Sequence, residues 1–164
     1  MRLTAYTDYT LRTLIHLAGQ PGRLVTIQDI ASQHGISKNH LMKVVYQLGL
    51  TGLVQTVRGR NGGLRLAKAP EDISVGAVVR HTENDFYMAA CFDAAREVCP
   101  YASCCGLKGL LGQATAAYLG VLDRATLADL VAMPGGGGGL GLGQGGGVPM
   151  QLLQRLDVTT SSFG

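Results

Sequence analysis

The sequence of 164 residues predicts a mainly α-helical fold with one small β-hairpin. Two short helical patterns flank a glycine-containing turn over residues 26–50, and a hairpin pattern follows directly over residues 53–66. A longer apolar helical pattern covers residues 107–122. Helices that cross at a tight turn form a helix-turn-helix unit, and a hairpin after the second helix makes it a winged helix-turn-helix.

The first predicted helix runs from Thr4 to Gly19. One side of it carries residues at helical spacing that are expected to face the core: Thr7, Leu11, Leu14, Ile15 and Ala18. Asp8 lies in the first turn, and Arg12 follows it by four residues, so the two can pair on the helix surface.

The helix-turn-helix is predicted from its caps. Thr26 precedes the first short helix, and Asp29 stands three residues later, where the two can form a capping box. Gly35 occupies the position at which a left-handed residue ends a helix. Ser37 is expected to cap the second helix.

The second helix has two chemically different sides. The apolar side, which should face the core, holds Leu41, Val44, Val45 and Leu48. The other side is polar and cationic and holds Lys38, Asn39, His40, Lys43, Tyr46 and Gln47. These residue types form hydrogen bonds to phosphates and base edges, so this side is a candidate DNA-contacting surface.

The hairpin is predicted from strands at residues 53–57 and 64–66 around a turn that contains Asn61 and Gly62. Glycine allows close backbone approach, and arginine suits a narrow minor groove, so Arg58 and Arg60 at the tip favour a DNA-contacting wing. An ordinary solubilising hairpin tip is the alternative. The full set of predicted DNA-binding residues is Gln28, Ser37, Lys38, Asn39, His40, Lys43, Tyr46, Arg58, Arg60 and Asn61.

The second half of the chain predicts a dimerisation helix and a tail. Ser74 is expected to cap a helix that ends near His81, and Thr126 a last segment over residues 125–131. The apolar helix at residues 107–122 carries only one charge, Lys108, which favours packing against the same helix of a second subunit. Ten of the sixteen residues from 134 to 149 are glycine, a composition typical of a flexible linker or tail.

These patterns divide the chain into three regions. Residues 1–70 form the winged helix-turn-helix domain, residues 71–131 hold a cysteine loop and the dimerisation helix, and residues 132–164 form a glycine-rich flexible tail. Residues 1–70 carry nine Lys and Arg against two acids, a net charge of +7, whereas residues 71–164 carry five against nine. A basic first half that contains a helix-turn-helix indicates double-stranded DNA as the partner.

Several protein classes are disfavoured. No stretch reaches 18 consecutive apolar residues, so no membrane span is expected. The N-terminus lacks the apolar core of a signal peptide, which predicts a cytoplasmic protein. The chain contains no recognisable nucleophile–base pair, nucleotide-binding loop or CxxC motif, so no enzymatic activity is expected.

The four cysteines, Cys91, Cys99, Cys104 and Cys105, fall within fifteen residues. Such clustering in an intracellular chain favours metal or redox chemistry over structural disulfides. An iron–sulfur cluster, a thiol–disulfide switch and a zinc site are each compatible with the spacing. Because Cys104 and Cys105 are adjacent, they cannot easily both bind one small cluster, which favours three cysteines and a fourth ligand from elsewhere.

The chain resembles the NsrR family, the nitric-oxide-sensing repressors of bacteria. The resemblance is carried by residues 1–18 (MRLTAYTDYTLRTLIHLA), 27–31 (IQDIA), 37–45 (SKNHLMKVV) and 57–66 (VRGRNGGLRL), by the cysteine loop and by residues 126–130 (TLADL). It covers about residues 1–131 and leaves the glycine-rich tail outside.

The resemblance implies a homodimeric repressor with one iron–sulfur cluster per subunit, 2Fe–2S or 4Fe–4S. By the same resemblance, Cys91, Cys99 and Cys105 are metal ligands, Asp8 of the other subunit is the fourth ligand, and Arg12 steadies that carboxylate. The cluster form binds promoter DNA of nitric oxide detoxification genes, and nitrosylation of the cluster releases it. The alternatives are an iron–sulfur or thiol regulator that answers another signal, and a small thiol redox enzyme.

Overall fold

The helices and strands follow the predicted order along the chain. The structure is a computed structural model that describes residues 2–93 and 105–132. Its helices are α1 (Ala5–Ala18), α2 (Ile27–His34), α3 (Lys38–Leu50), α4 (Val75–Thr82), α5 (Gly106–Asp123) and α6 (Leu127–Ala132). Between α3 and α4, β1 (Val54–Val57) and β2 (Gly63–Leu66) pair antiparallel. The predicted fold class, mainly α-helical with a small hairpin, is confirmed.

Some predictions lie outside the described residues. These are the glycine-rich tail and the loop positions Cys99 and Cys104. The division of the chain into three regions stays a prediction. Among the helices that the structure describes, none is long and apolar enough to cross a membrane.

Local capping begins and ends the first two helices. Thr4 caps α1, because its hydroxyl accepts a hydrogen bond from the Thr7 backbone N–H. At α2, Thr26 Oγ1 accepts from the Asp29 N–H at 3.1 Å while Asp29 Oδ2 accepts from the Thr26 N–H at 3.0 Å. Gly35 then ends α2 with φ 63° and ψ 30°, a left-handed conformation that glycine adopts without strain. The predicted capping box and the glycine stop are both confirmed.

The predicted N-cap of α3 is confirmed in its position but not in its hydrogen bond. Ser37 does stand at the N-cap of α3, but its side chain makes no capping hydrogen bond. The backbone carbonyl of Ser37 accepts from the Leu41 N–H at 3.1 Å, which starts the helix without the hydroxyl. The exposed Ser37 hydroxyl therefore has no capping role.

The core lies where α1, α2, α3 and the hairpin meet. The predicted apolar side of α3 is buried along its whole length, with Leu41 fully inaccessible and Leu48 at 3 % exposure. Leu14 of α1 and Ile30 of α2 are also fully inaccessible. Leu127 of α6 joins the same cluster, so the last helix closes the core from the other end of the chain.

The buried side of α1 differs from the predicted stripe. Thr7 and Leu14 are buried as expected, whereas Leu11, Ile15 and Ala18 are only partly buried. The remaining buried positions are Thr10, Thr13 and Leu17. Thr10 is buried although its Oγ1 has no hydrogen-bond partner among the described residues. The prediction followed apolar residues and missed both threonines, although a hydroxyl side chain can enter an apolar interior when it finds a local acceptor. Thr13 Oγ1, for example, donates to the Tyr9 carbonyl at 2.7 Å.

The hairpin is tied to the helix-turn-helix by a backbone bridge that the sequence did not predict. Val25, just before α2, accepts from the Leu64 N–H at 2.8 Å and donates to the Leu64 carbonyl at 3.0 Å. In the hairpin loop the glycine with positive φ is Gly59, at 118°, and Asn61 does not adopt a left-handed conformation. The predicted hairpin is confirmed, but its loop spans five residues between the paired Val57 and Gly63.

A close approach joins α4 to the end of α5. A Cβ atom on the buried Gly76 would lie 2.7 Å from the Asp123 backbone nitrogen and 2.8 Å from its Cα. One turn later Arg80 binds the Asp123 carboxylate through both terminal nitrogens. This hydrogen bonding holds the pKa of Asp123 below its ordinary value. The absence of a side chain at Gly76 thus sets how closely α4 and α5 pack.

We expect Gly76→Ala to destabilise the fold by about 1–3 kcal/mol, because a methyl group here displaces backbone as well as side-chain atoms. The free energy of unfolding from urea titration measures the effect. Gly49→Ala in α3 is the matched control, since the nearest atom is 4.0 Å away, and it should change stability by less than about 1 kcal/mol. Equal effects of the two substitutions would contradict the packing account.

The ends of α1 and α2 meet through two imidazoles. His16 Nδ1 lies 3.2 Å from His34 Nε2, and the ring centroids are 5.3 Å apart. Burial is the main cause that lowers the pKa of each ring below the ordinary value of 6.5. The unfolded chain therefore binds more protons than the folded chain once the pH falls below that value.

We expect wild-type stability to fall as the pH is lowered from about 7.5 to about 5.5, since stability contributed by a depressed histidine pKa is present above 6.5 and lost below it. Thermal unfolding midpoints across this range measure the loss. His34→Gln should flatten the pH dependence, whereas His81→Gln, at an exposed site on α4, should not. A profile as steep in His34→Gln as in wild type would refute this assignment, since His16 accounts for only part of the slope.

Candidate nucleic-acid interface and metal-binding residues

The exposed side of α3 presents the predicted polar residues to solvent. All of the predicted DNA-binding residues of this helix and its cap are exposed: Ser37, Lys38, Asn39, His40, Lys43 and Tyr46. The opposite side is buried, so the core fixes which side of α3 faces outward. Helix α3 contains no acidic residue, so its exposed side has only positive formal charge.

Two cations of this helix have no ion-pair partner among the described residues. The ion pairs between described residues join Arg12 to Asp8 and Arg80 to Asp123. Lys38 and Lys43 belong to neither. Their charges are therefore available to an external anion such as a phosphate.

The start of α3 is oriented by a contact from α1. The rings of Tyr9 and His40 are stacked, with centroids 6.1 Å apart and planes 28° from parallel. This contact orients His40 at the exposed start of the helix. Sequence analysis missed Tyr9, because its partner lies 31 positions away and no local pattern signals the pair.

Three predicted residues share one groove. Asn39, Lys43 and Tyr46 line an open groove between α3, the start of α1 and the end of α4. The other lining residues come from all three elements and from the segment after α4: Thr4, Tyr6, Met42, Gln47, His81, Thr82 and Asn84. The structure thus brings these three side chains together, while Gln28 lies on α2, where its amide donates to Ser32 Oγ at 3.2 Å.

The hairpin carries exposed cations at its tip. Arg58, Arg60 and Asn61 are all exposed in the loop between β1 and β2. Behind the tip, Arg65 Nε donates to Gln55 Oε1 at 2.9 Å across the paired strands. Arg65 is thereby held on the strand, whereas neither tip arginine takes part in the ion pairs of the described residues.

The predicted metal ligands are only partly described. Cys91, in a short 3₁₀ turn, and Cys105, at the N-cap of α5, are free, half-buried thiols. The turn and the helix are in contact, because Lys108 Nζ lies 6.0 Å from the centroid of the Phe92 ring. The Lys108 side chain therefore reaches from the first turn of α5 toward the turn that holds Cys91, and Cys99 is outside the described residues.

Thiols fit the donor chemistry of an iron–sulfur cluster, which cysteine thiolates normally hold. Within residues 2–93 and 105–132, however, no group of three or more His, Cys, Asp and Glu side chains is arranged to hold a metal ion. The described part of one chain therefore offers two thiols toward a four-ligand site. A complete site needs residues outside the described ranges or from a second subunit.

Asp8 lies on the surface of α1, as predicted. Arg12 Nε donates to Asp8 Oδ1 at 3.0 Å, and both side chains are more than two-fifths exposed. The predicted pairing of these residues is confirmed. An exposed pair of this kind contributes little to stability.

A polar link that the sequence did not predict joins α1 to the end of α4. Thr7 Oγ1 donates to Thr82 Oγ1 at 2.9 Å, and Glu83 Oε1 accepts from the Thr4 N–H at 2.8 Å and from its hydroxyl. Thr7 precedes Asp8, and Glu83 begins the segment that leads to Cys91. The first turn of α1 is thus fastened to the start of the cysteine-bearing segment.

Comparison with known proteins agrees with this geometry. A family model described as "Rrf2: Iron-dependent Transcriptional regulator" matches residues 3–133. The HTH-type transcriptional regulator NsrR of Bacillus subtilis is 57 % identical over 132 residues, which cover 80 % of this chain and 90 % of that protein. NsrR of Halalkalibacterium halodurans is 50 % identical over the same length, with the same coverage.

Solved structures are similar as well. CymR, the global cysteine regulator of B. subtilis, aligns with a TM-score of 0.66 at 27 % identity, covering 82 % of this chain and 98 % of that one. IscR of T. potens aligns with a TM-score of 0.65 at 26 % identity, covering 86 % and 94 %. The resemblance to NsrR is confirmed, and the named relatives, all regulators, confirm that the chain is not an enzyme.

Proposed function

The chain belongs to the Rrf2 family of transcriptional regulators, and we propose that it is a nitric-oxide-sensitive repressor. It acts in the cytoplasm, binds promoter DNA as a homodimer and derepresses nitric oxide detoxification genes. The observation that carries the proposal is the outward side of α3, whose cations form no ion pair with other described residues, on a helix that the core holds in one orientation. The identity to proteins named NsrR supports the choice of signal.

The proposed DNA contacts divide by chemistry. Lys38, Lys43, Arg58 and Arg60 contact phosphates, since their charges are exposed and release counterions on binding. Asn39 and His40, at the exposed start of α3, read base edges in the major groove. Gln28, Ser37, Tyr46 and Asn61 complete the surface as hydrogen-bonding side chains that fix its position on the duplex.

The start of α3 also offers backbone donors. The Ser37 hydroxyl does not cap this helix, so the first N–H groups of α3 donate no hydrogen bond to the side chain of the N-cap residue. Unsatisfied N–H groups and the helix dipole favour an anion at this end. A phosphate beside Lys38 meets both the backbone donors and a side-chain charge.

Dimerisation is proposed from the unburied surface of α5. None of the eighteen residues of this helix is buried in the single chain. Three large apolar side chains of this helix are more than half exposed: Leu107 at 61 %, Leu110 at 62 % and Val121 at 58 %. Contact between apolar side chains and water costs free energy unless another surface covers them. A second copy of the helix covers them with the same apolar chemistry, and the resulting two-fold symmetry matches a palindromic operator.

The proposed cluster ligands are Cys91, Cys99 and Cys105 of one chain and Asp8 of the partner chain, which gives one cluster per subunit. The Phe92–Lys108 contact supports this set, since it links the turn that holds Cys91 to the first turn of α5, which follows Cys105. Arg12 orients the Asp8 carboxylate from within its own helix. When bound, a 2Fe–2S or 4Fe–4S cluster supplies iron that reacts with nitric oxide.

The chain's own contacts supply the coupling between the two sites. Thr7 and Thr4 fasten α1 to Thr82 and Glu83 at the start of the cysteine-bearing segment. Tyr9, on the same helix, stacks on His40 at the start of α3. A movement of the cysteine-bearing segment therefore reaches the DNA-reading helix through α1. A coupling of about 3 kcal/mol changes DNA affinity roughly a hundredfold.

We expect Lys43→Ala to weaken binding to operator and to unrelated DNA by a similar factor, because a phosphate contact carries no sequence information. The slope of log affinity against log salt should decrease in magnitude by about 0.9 for each lost contact. Fluorescence anisotropy with an operator selected by the wild-type protein measures both quantities. Lys68→Ala, an exposed lysine outside α3 and the wing tip, is the control and should leave the slope unchanged.

Asn39→Ala should weaken operator binding while it leaves binding to unrelated DNA unchanged. A uniform loss on both DNAs would assign Asn39 to the phosphate contacts instead. A loss of about 1–3 kcal/mol on the operator is the size expected for one base contact.

The proposed function is tested with protein purified without air. Wild-type protein should be coloured, contain iron and bind its promoter, and nitric oxide should release the DNA. Cys99→Ala should lose the cluster absorbance and the DNA binding together, whereas Cys104→Ala should keep both. Colourless, iron-free wild-type protein that still binds its promoter tightly would disprove the proposal, and an equal response to peroxide would favour a regulator for another signal.

A further inference from the structure

The His16–His34 pair has no role in the proposed DNA interface or among the proposed cluster ligands. His16 lies in the last turn of α1 and His34 in the last turn of α2, so the pair spans two helices of the DNA-binding unit. Both rings are partly buried, and a nitrogen of each faces the other at 3.2 Å. Facing ring nitrogens at this distance share either a hydrogen or a metal ion.

The separation fits a tetrahedral metal ion. Two imidazole nitrogens, each about 2.0–2.1 Å from Zn²⁺ at a tetrahedral angle, lie about 3.3–3.4 Å apart. The observed 3.2 Å therefore needs only a small movement of one ring. The rings meet edge to face, with their planes 69° apart and their centroids 5.3 Å apart.

The protonation state favours metal binding near neutral pH. Burial lowers the pKa of both rings, so both are neutral and each has a lone pair available. Asp29 raises the pKa of His16, and Arg23 lowers it. Asp8 raises the pKa of His34, and Arg12 lowers it. The carboxylates are engaged elsewhere, Asp29 in the α2 capping box and Asp8 with Arg12.

We propose that His16 Nδ1 and His34 Nε2 form an open, two-histidine site for Zn²⁺ that links the end of α1 to the end of α2. The described residues offer no third side chain to the site, so water fills the other positions. Each ring then carries its hydrogen on the outer nitrogen, Nε2 of His16 and Nδ1 of His34. The hydrogen between the rings moves to an outer nitrogen, and no net proton is released.

The direct test is a Zn²⁺ titration of the full chain followed by the ¹H–¹⁵N spectrum of the imidazole rings. The His16 and His34 signals should shift together, with one midpoint and with the two tautomers stated above. The His40 and His81 signals should not follow them. Zn²⁺ bound by the cysteines alone would leave the His16 and His34 signals unchanged, and that result overturns the proposal.

Thermal unfolding gives an independent readout, since a ligand that binds only the folded state raises the unfolding midpoint. Zn²⁺ should raise the midpoint of wild type and of His81→Gln more than that of His16→Gln or His34→Gln. Any increase in the unfolding midpoint that comes from Zn²⁺ bound by the cysteines is common to all four proteins. An equal rise in all four overturns the proposal, and if one variant does not fold, the other variant and the wild-type spectra decide.

Discussion

The burial of one side of α3 is the constraint on which the rest of the structure depends. Leu41, Val44 and Leu48 enter the core against α1 and α2, and each fully buried aliphatic side chain contributes about 1.5–3 kcal/mol. A rotation of α3 would expose these side chains to water. The core therefore orients the cationic side of the helix outward, and the proposed DNA interface follows from the packing rather than from interactions among its own residues.

Around this core, α1 links the two candidate sites. Its apolar side supports α3, and its first turn is bound to the end of α4 through threonine hydroxyls and Glu83. Such polar links between helices are directional, because a hydrogen bond weakens steeply when its partners move out of line. These contacts make α1 the physical connection between the start of the cysteine-bearing segment and the proposed DNA-reading surface.

Sequence patterns predicted the structure correctly where it depends on residues that are close together in the chain. The capping box of Thr26 and Asp29, the left-handed Gly35 and the buried side of α3 all depend on residues within a few positions of one another. The family resemblance also rests on contiguous motifs, which can be read directly from the sequence, and it was confirmed. Ser37 shows the limit of local rules, since it takes the predicted N-cap position without the predicted hydrogen bond.

The sequence by itself determined the helices, the hairpin and the kinds of side chain that face outward, because helical period, capping and turn chemistry act over short stretches of chain. Only the tertiary structure decided which distant residues meet. The Val25–Leu64 bridge, the Thr7–Thr82 link and the His16–His34 pair join positions 18 to 75 residues apart. Contacts at such separations depend on how whole helices pack, and no local pattern encodes them.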